Sequence, residues 1–176
     1  MKVTFIEASG NRRLSKTIGA TETASYPNVK NVTSHEYEIP VSLEGLRQKT
    51  ELIKKHSEKG HCMLKGQFSR PITNESRAGL CDSNALTYSI ILDLDDLLLE
   101  GVNIPGKIDF IKLAGLTERF VELLPMEFRN VSYILQASAS MGLKKGLNCH
   151  IEFFLKNPLS PKFLKDVLTK MNFDLE

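Results

Sequence analysis

Tryptophan is absent from this 176-residue chain, and aromatic side chains make up only 7% of it. Single-strand nucleic-acid readers built on OB-folds or RNA-recognition sheets stack bases on aromatic rings that stand among basic residues. The Phe153-Phe154 pair lies instead in an otherwise apolar stretch, which is typical of core packing. The formal net charge is only +2, so overall charge neither requires nor excludes a nucleic-acid partner.

Long apolar runs are also missing. No stretch has the length of a signal-peptide core or a membrane span, which predicts a cytoplasmic protein with no membrane partner. The three cysteines, Cys62, Cys81 and Cys149, are odd in number and widely scattered, which argues against a disulfide framework. Together with His56 and His61 they show no CxxC or HxxxH spacing, so we expect no zinc.

The most informative stretch that is present is an apolar run ending in acids, Tyr88 to Asp96. Strand alternation places Asp93 and Asp95 on one face, and Asp96 with the apolar residues on the other. Two carboxylates beside a dry interior repel each other, which would put a proton on one of them unless a divalent cation held both. Because hard cations prefer oxygen ligands, the pattern predicts Mg²⁺ or Mn²⁺ at Asp93 and Asp95.

A second polar feature lies near the end of the chain. Alternation in the strand predicted at 147–155 puts His150 on its more polar face. The preceding turn contributes hydroxyls, backbone N–H groups and lysines, a chemistry suited to a triphosphate. Its polar side chains are Ser138, Ser140, Lys144 and Lys145. Arg77, in a loop ahead of the acidic strand, adds a cation that can neutralise phosphate charge.

The order of elements predicts an α/β (α+β) fold, a single domain over 1–176 with a mixed β-sheet flanked by helices. Residues 1–60 form an N-terminal arm and helix in this prediction, and residues 61–176 form the core. Predicted strands cover 1–6, 61–65, 88–96, 131–137 and 147–155, and predicted helices cover 42–60, 107–124 and 160–171. Ser42 is the expected N-cap of the first helix and Gly60 its stop.

These motifs, in this order, resemble the archaeo-eukaryotic primase superfamily. The resemblance is strongest to the primase or primase-polymerase domains at the N-terminus of phage and plasmid replication proteins. It covers roughly residues 60 to 156, and Asn148 stands where the family usually has Ser. The matching segments are Leu92-Asp93-Leu94-Asp95, Asn148-Cys149-His150, Leu64-Lys65-Gly66, Glu75-Ser76-Arg77-Ala78-Gly79, and Ser138-Ala-Ser140 with Gly146.

The resemblance implies the family's catalytic core, which includes an RNA-recognition-motif-like unit, and a nucleotidyl transfer assisted by two divalent ions. Asp93 and Asp95 would hold Mg²⁺ or Mn²⁺, and His150 would bind the phosphates of the incoming nucleotide. The implied nucleotide-binding residues beside His150 are Arg77, Ser138, Ser140, Lys144 and Lys145. The implied partners are nucleoside triphosphates and a single-stranded DNA template, in the cytoplasm of the host cell.

The family also uses a third carboxylate, in an apolar-Asp motif some distance after the histidine. Phe173-Asp174 satisfies this minimal pattern, so Asp174 is a candidate metal ligand. The alternative is that the third acid lies in sequence not present here. The chain is then expected to be an N-terminal fragment of a longer replication protein, with a helicase in the same or a partner chain.

Two other classes of protein stay open. The segment Asp93-Leu-Asp95-Asp96-Leu97 is similar to the DxDx[TV] motif of haloacid-dehalogenase-like phosphatases, in which Asp93 would be the nucleophile. Leu97 departs from that motif, and about half of the chain precedes a strand with which that family begins. The second alternative is a non-catalytic DNA-binding replication-initiation module with the same fold, which has no need of both acids.

Overall fold

The computed structural model describes residues 1–10, 12–18, 23–24, 27, 29–99 and 109–174, with the side chains of 17–18, 23–24 and 171–174 left aside. Within these residues the fold is a mixture of helices and antiparallel sheets. The strands are β1 (Lys2–Ala8), β2 (Thr17–Ile18), β3 (Thr23–Ala24), β4 (Asn31–Glu38), β5 (Cys62–Met63), β6 (Glu75–Ser76), β7 (Thr87–Leu97), β8 (Tyr133–Ala137) and β9 (Leu147–Leu159). The helices are α1 (Leu43–Glu58), α2 (Phe110–Val121) and α3 (Pro161–Asp174).

Side-chain caps explain where the first two helices begin. The backbone N–H of Gly45 donates to Ser42 Oγ at 3.3 Å, which confirms Ser42 as the N-cap of α1. Helix α2 begins later than predicted, because Asp109 accepts a hydrogen bond from the Lys112 N–H at 2.7 Å and caps it. The predicted first residues of that helix, 107–108, lie outside the described residues.

The strand pairings whose register is described are all antiparallel. They join β1 with β4 and with β5, β2 with β3, β4 with β6, and β8 with β9. A mixed sheet was expected, and no parallel pair occurs among these registers. Short connections account for part of this, because the turn between β8 and β9 is too short for the crossover that parallel strands need.

The chain forms two compact units. The first contains Met1–Ser15, Ser25–Ile90 and Phe154–Glu176, and the second contains Lys16–Ala24 and Ile91–Phe153. The single domain over 1–176 stays a prediction.

A four-stranded sheet, in the order β5-β1-β4-β6, organises the first unit. Strand β1 is buried on both faces, so apolar clusters form above and below it. One cluster includes Val3 and Phe5 with Leu52 of α1. The other includes Ile6 and Val32. The sheet is therefore packed on both faces where β1 lies, whereas β4 is mostly half-buried.

A three-stranded sheet, in the order β7-β9-β8, runs into the second unit. The core of this unit consists of apolar residues from β9 and α2, including Leu147, Ile151, Leu113 and Leu116, all nearly inaccessible to water. Strand β9 is thus fixed by burial along much of its length. Among the described residues of the chain, no helix combines the length and apolar content needed to cross a membrane.

Candidate active site

The acidic end of β7 follows the predicted alternation up to Asp95. Ile90 and Leu92 are buried, whereas Asp93 and Asp95 are exposed. The two carboxylate side chains retain 59% and 70% of their accessible surface. The expectation that they press against a dry interior is therefore wrong, because solvent reaches both and screens their repulsion.

Asp96 departs from the alternation. Its φ angle is +55°, in the left-handed region, so the strand geometry that would send Asp96 to the opposite face has ended there. The Lys144 ammonium lies 3.3 Å from Asp95 Oδ1 and 3.1 Å from Asp96 Oδ2. The prediction that set Asp96 apart from the pair is wrong. Asp93, Asp95 and Asp96 form one group, named here the acidic cluster.

His150 is the second side chain that pairs with the acidic cluster. Its Nε2 lies 2.9 Å from Asp93 Oδ1. Strand β9, which carries it, is the neighbour of β7 in the sheet, and its buried residues fix the histidine's position. The structure thus brings together Asp93, Asp95, His150 and Lys144, all predicted from the sequence. Hydrogen bonds to Asp96 and Asp95 raise the pKa of Lys144, so this side chain remains a cation.

Many polar groups of the turn between β8 and β9 form hydrogen bonds within the turn or to Asn148. The hydroxyls of Ser138 and Ser140 lie 2.8 Å apart, and Ser140 is buried and donates to Asn148 Oδ1 at 3.3 Å. Three backbone N–H groups, those of Met141, Leu143 and Lys144, donate to carbonyls within the turn. Ser140 and these amides therefore hold the turn in shape, which leaves its exposed lysines to face solvent.

Asn148 is the residue that sequence reasoning missed. It is fully buried, and its side-chain oxygen accepts from the Asp96 N–H at 3.0 Å and from Ser140. Its amide nitrogen donates to the carbonyls of Gly146 at 3.1 Å and Lys145 at 3.4 Å. One side chain thus joins the end of β7 to the turn. The signal in the sequence was the departure from the family's usual Ser at this position.

Gly146 is needed where the turn meets the acidic strand. Its φ angle is +84°, and a Cβ there would lie 2.7 Å from Leu97 O and 2.8 Å from the carbonyl carbon of Asp96. A larger residue would therefore push the turn away from the acids. Close backbone approach, together with positive φ, is a role that glycine alone performs without strain.

Cys149 lies between Asn148 and His150 but has the properties of a core residue. Burial raises the pKa of its thiol to about 11, with a smaller contribution from the negative charge of Asp93. The thiol is inaccessible to solvent. A protonated, buried thiol is a poor nucleophile, so the cysteine does not take part in the chemistry of the site.

The remaining predicted site residues lie elsewhere or contribute less defined contacts. Lys145 is exposed in the turn next to Lys144. Arg77 belongs to the first unit, directly after β6, and Asp174 is the last residue of α3 in that unit. The side chain of Asp174 is outside those described.

Comparisons with protein-family models, with curated proteins and with solved structures found no match.

Proposed function

We propose that the chain is a DNA primase or primase-polymerase domain, a metal-dependent nucleotidyltransferase that uses nucleoside triphosphates on a single-stranded DNA template. The observation that carries this proposal is the acidic cluster with the two nitrogen-bearing side chains that pair with it, His150 and Lys144. Three carboxylates stand within four residues, His150 pairs with the first, and Lys144 pairs with the other two. Anionic and cationic groups therefore meet at one point of the second unit.

The donor set fits hard divalent cations. Asp93, Asp95 and Asp96 offer carboxylate oxygens only, and their exposure leaves room for the water ligands that Mg²⁺ and Mn²⁺ retain. Asp96 is a third carboxylate within the same cluster, and Asp174 remains the alternative candidate for a third acid. Two such ions would lower the pKa of a primer hydroxyl and offset the charge of the transferred phosphate.

The two side chains that pair with the acids have a separate role in this proposal. In the absence of ligand, Lys144 offsets the charge of Asp95 and Asp96, and His150 contacts Asp93. Both can turn toward the phosphates of a nucleotide, where charge-assisted hydrogen bonds are strong. Lys145 would add phosphate charge neutralisation, and the buried hydroxyl of Ser140, with that of Ser138, would keep the turn in position. A replicative helicase in the same or a partner chain is the proposed functional companion.

The position of Asp93 argues against the phosphatase alternative. In that family the acidic strand opens the domain, whereas about half of this chain precedes Asp93, and Leu97 stands where the motif has Thr or Val. The non-catalytic DNA-binding module is a closer rival, since it shares the fold and the basic turn. Metal dependence separates that module from an enzyme.

The first experiment measures the melting temperature of the protein with Mn²⁺ and a nucleoside triphosphate, added singly and together. We expect the pair to raise it by several degrees, because ligands that bind only the folded state stabilise it by mass action. Asp93→Asn with Asp95→Asn should abolish the rise, and Asp96→Asn should reduce it. Asp166→Asn, an exposed acid on α3, is the matched control and should keep the full rise.

The second experiment measures Mn²⁺-dependent incorporation of labelled nucleotide on single-stranded DNA, in the same four proteins. Incorporation by the parent protein and by Asp166→Asn, but not by the double variant, is the expected result. A parent protein whose melting temperature does not respond to Mn²⁺ with nucleotide would rule out the proposed enzyme. Binding of single-stranded DNA without metal would then support the non-catalytic module.

A further inference from the structure

A second group of polar side chains lies on the sheet of the first unit. Glu7 Oε2 is 2.8 Å from His35 Nε2 and 3.8 Å from His61 Nε2. One potential ligand atom from each of these three residues lies within 4.8 Å of the other two. We name Glu7, His35 and His61 the histidine cluster. It shares no residue with the acidic cluster, and the proposed nucleotidyl transfer does not use it.

Strand pairing brings the three residues together from distant parts of the chain. Phe5 of β1 pairs with His35 of β4, so Glu7 lies diagonally across from His35 on the same face. On the other side of β1, Ile6 pairs with Cys62, and the register extended by one residue sets His61 opposite Glu7. Three adjacent strands or strand ends thus present one ligand atom each, and the central carboxylate lies between the two imidazoles.

The spacing of the donor atoms suits a small metal ion. Zinc binds nitrogen and carboxylate oxygen at about 2.0 to 2.2 Å in tetrahedral geometry, which separates neighbouring ligand atoms by about 3.3 Å. The separations of 2.8 Å and 3.8 Å from Glu7 bracket this value. Two histidines and one carboxylate form a known type of zinc ligand set that leaves a fourth position for water. The cluster is accessible to water on one side, since the side chains of Glu7 and His35 retain 41% and 32% exposure.

Behind the ligands, a hydrogen-bonded relay orients His61. Its Nδ1 lies 2.8 Å from His56 Nδ1, and His56 Nε2 lies 2.9 Å from the Tyr37 hydroxyl. His56 is buried and stacked on Phe5 with ring centroids 4.1 Å apart, so its ring is held in place behind His61.

The hydrogen-bonded relay permits the proton order that a metal requires. When His61 Nδ1 donates to His56 Nδ1, and His56 Nε2 donates to the Tyr37 oxygen, His61 Nε2 is left with a lone pair directed toward Glu7. Metal-binding histidines commonly donate their second nitrogen to a neighbouring acceptor in this way, which fixes the tautomer and the ring orientation. The buried partners of His61 thus supply the support that such a ligand needs.

We propose that Glu7, His35 and His61 bind one Zn²⁺ ion, with His56 and Tyr37 as the positioning residues. The site was not expected from the sequence, where the absence of CxxC and HxxxH spacing indicated no zinc. Its ligands are set by sheet register, which short sequence motifs do not report. Because the three ligands come from β1, β4 and the start of β5, a bound ion would cross-link the three strands.

The test uses the full chain after treatment with a chelator and gel filtration. Native mass spectrometry should show one zinc bound at one molar equivalent of Zn²⁺, and the melting temperature should rise by several degrees. Co²⁺ in place of Zn²⁺ should give visible absorption bands of the intensity typical of tetrahedral coordination. Mg²⁺ at the same concentration should neither bind by mass spectrometry nor raise the melting temperature, because histidine nitrogen suits transition metals rather than hard cations.

Single substitutions test which residues bind the zinc ion. Glu7→Gln, His35→Gln and His61→Gln should each lower zinc affinity at least tenfold, and Tyr37→Phe should lower it roughly tenfold through the relay. His150→Gln, the chain's other histidine with a carboxylate partner, and Cys81→Ser, an exposed thiol, are controls that should bind as the parent does. A parent protein that binds no zinc at this stoichiometry overturns the proposal, and so does unchanged binding in His61→Gln. The parent titration decides the question even where a variant fails to fold.

Discussion

The two polar clusters of this chain are built in opposite ways. The acidic cluster takes its three carboxylates from one short segment, and its acids are largely exposed. The histidine cluster takes its three residues from separate strands or strand ends, and its His61 side chain is only 9% exposed. The first is visible in the sequence as a motif, whereas the second arises only when the strands pair. Local spacing therefore reveals one kind of site and hides the other.

The clusters also differ in what supports them. Helix α1 carries His56 behind the histidine cluster, while a turn held by Asn148 supports the acidic cluster. Damage to a supporting element should reach its own cluster first. Variants in these elements therefore test whether the contrast between the two clusters is real.

The largest effect is expected at glycine 45 in α1. A Cβ on Gly45 would lie 1.7 Å from the Pro40 carbonyl oxygen, so Gly45→Ala must displace the start of the helix. We expect a loss of about 3 kcal/mol in the free energy of unfolding, measured by urea denaturation. Gly115 is its counterpart in α2, exposed and with no atom within 4 Å of the added Cβ. Gly115→Ala should stabilise by about 0.5 to 1 kcal/mol.

The same two variants also test whether α1 supports zinc binding at the histidine cluster. Gly45→Ala should weaken zinc binding, because it shifts the helix that carries His56. Gly115→Ala should leave zinc binding unchanged. Equal stability changes in the two variants would contradict the packing described for α1.

The next largest effect on stability is expected at Asn148, a buried polar side chain. Asn148→Leu removes the partner of the Asp96 N–H and of two carbonyls, so we expect a loss of about 2 kcal/mol in the free energy of unfolding. It should also abolish the rise in melting temperature with Mn²⁺ and nucleotide, while zinc binding persists.

In the first unit, the buried Thr4 Oγ1 has no hydrogen-bond partner among the described residues. Thr4→Val should therefore be neutral or stabilise by up to about 1 kcal/mol.

The comparison between the two units would be contradicted if Thr4→Val destabilised the protein more than Asn148→Leu does. If Thr4→Val cost more than Asn148→Leu, the Asn148 network would not be holding the turn against the end of β7. Circular dichroism of both variants at the same temperature would separate local loosening from loss of the fold.

The smallest effect on stability is expected at Lys144. The ammonium is exposed and its pairs with Asp95 and Asp96 lie in water, so Lys144→Met should leave the urea midpoint unchanged. It should raise the affinity of the acidic cluster for Mn²⁺ alone by a few fold, because a competing cation is gone. It should lower nucleotide affinity in the presence of Mn²⁺. Isothermal titration of each ligand measures both shifts, and Lys156→Met, another exposed lysine, is the control.

Much of the local structure could be predicted from the sequence. Ser42 caps α1 because a hydroxyl satisfies an exposed N–H, and this depends on a few neighbouring residues. The faces of β7 follow from alternation, which places Leu92 in the core and Asp93 outside. His150 meets Asp93 because each lies on the polar face of its strand. Each of these results requires only local periodicity or a short motif.

Three features could not be predicted, each for a physical reason. Strand β4 carries polar residues on both faces and buries only Val32, so its alternation is weak. Asp96 joins Asp95 because its backbone becomes left-handed, which periodicity does not report. The histidine cluster depends on the register of β1 with its two neighbours, and register is a property of the assembled sheet.

The left-handed residue at the end of β7 also bears on how the protein avoids joining other copies of itself. Strand β7 stands at one end of the order β7-β9-β8, and an apolar strand in that position is a template for aggregation. The left-handed backbone at Asp96 ends the regular strand, and three of the four residues from Asp93 to Asp96 carry a carboxylate. A strand of another chain therefore cannot readily pair with this part of β7. Removing those charges should therefore promote self-association, which light scattering of the Asp-to-Asn variants would detect. The acids proposed for catalysis would then also guard the outermost strand of the sheet.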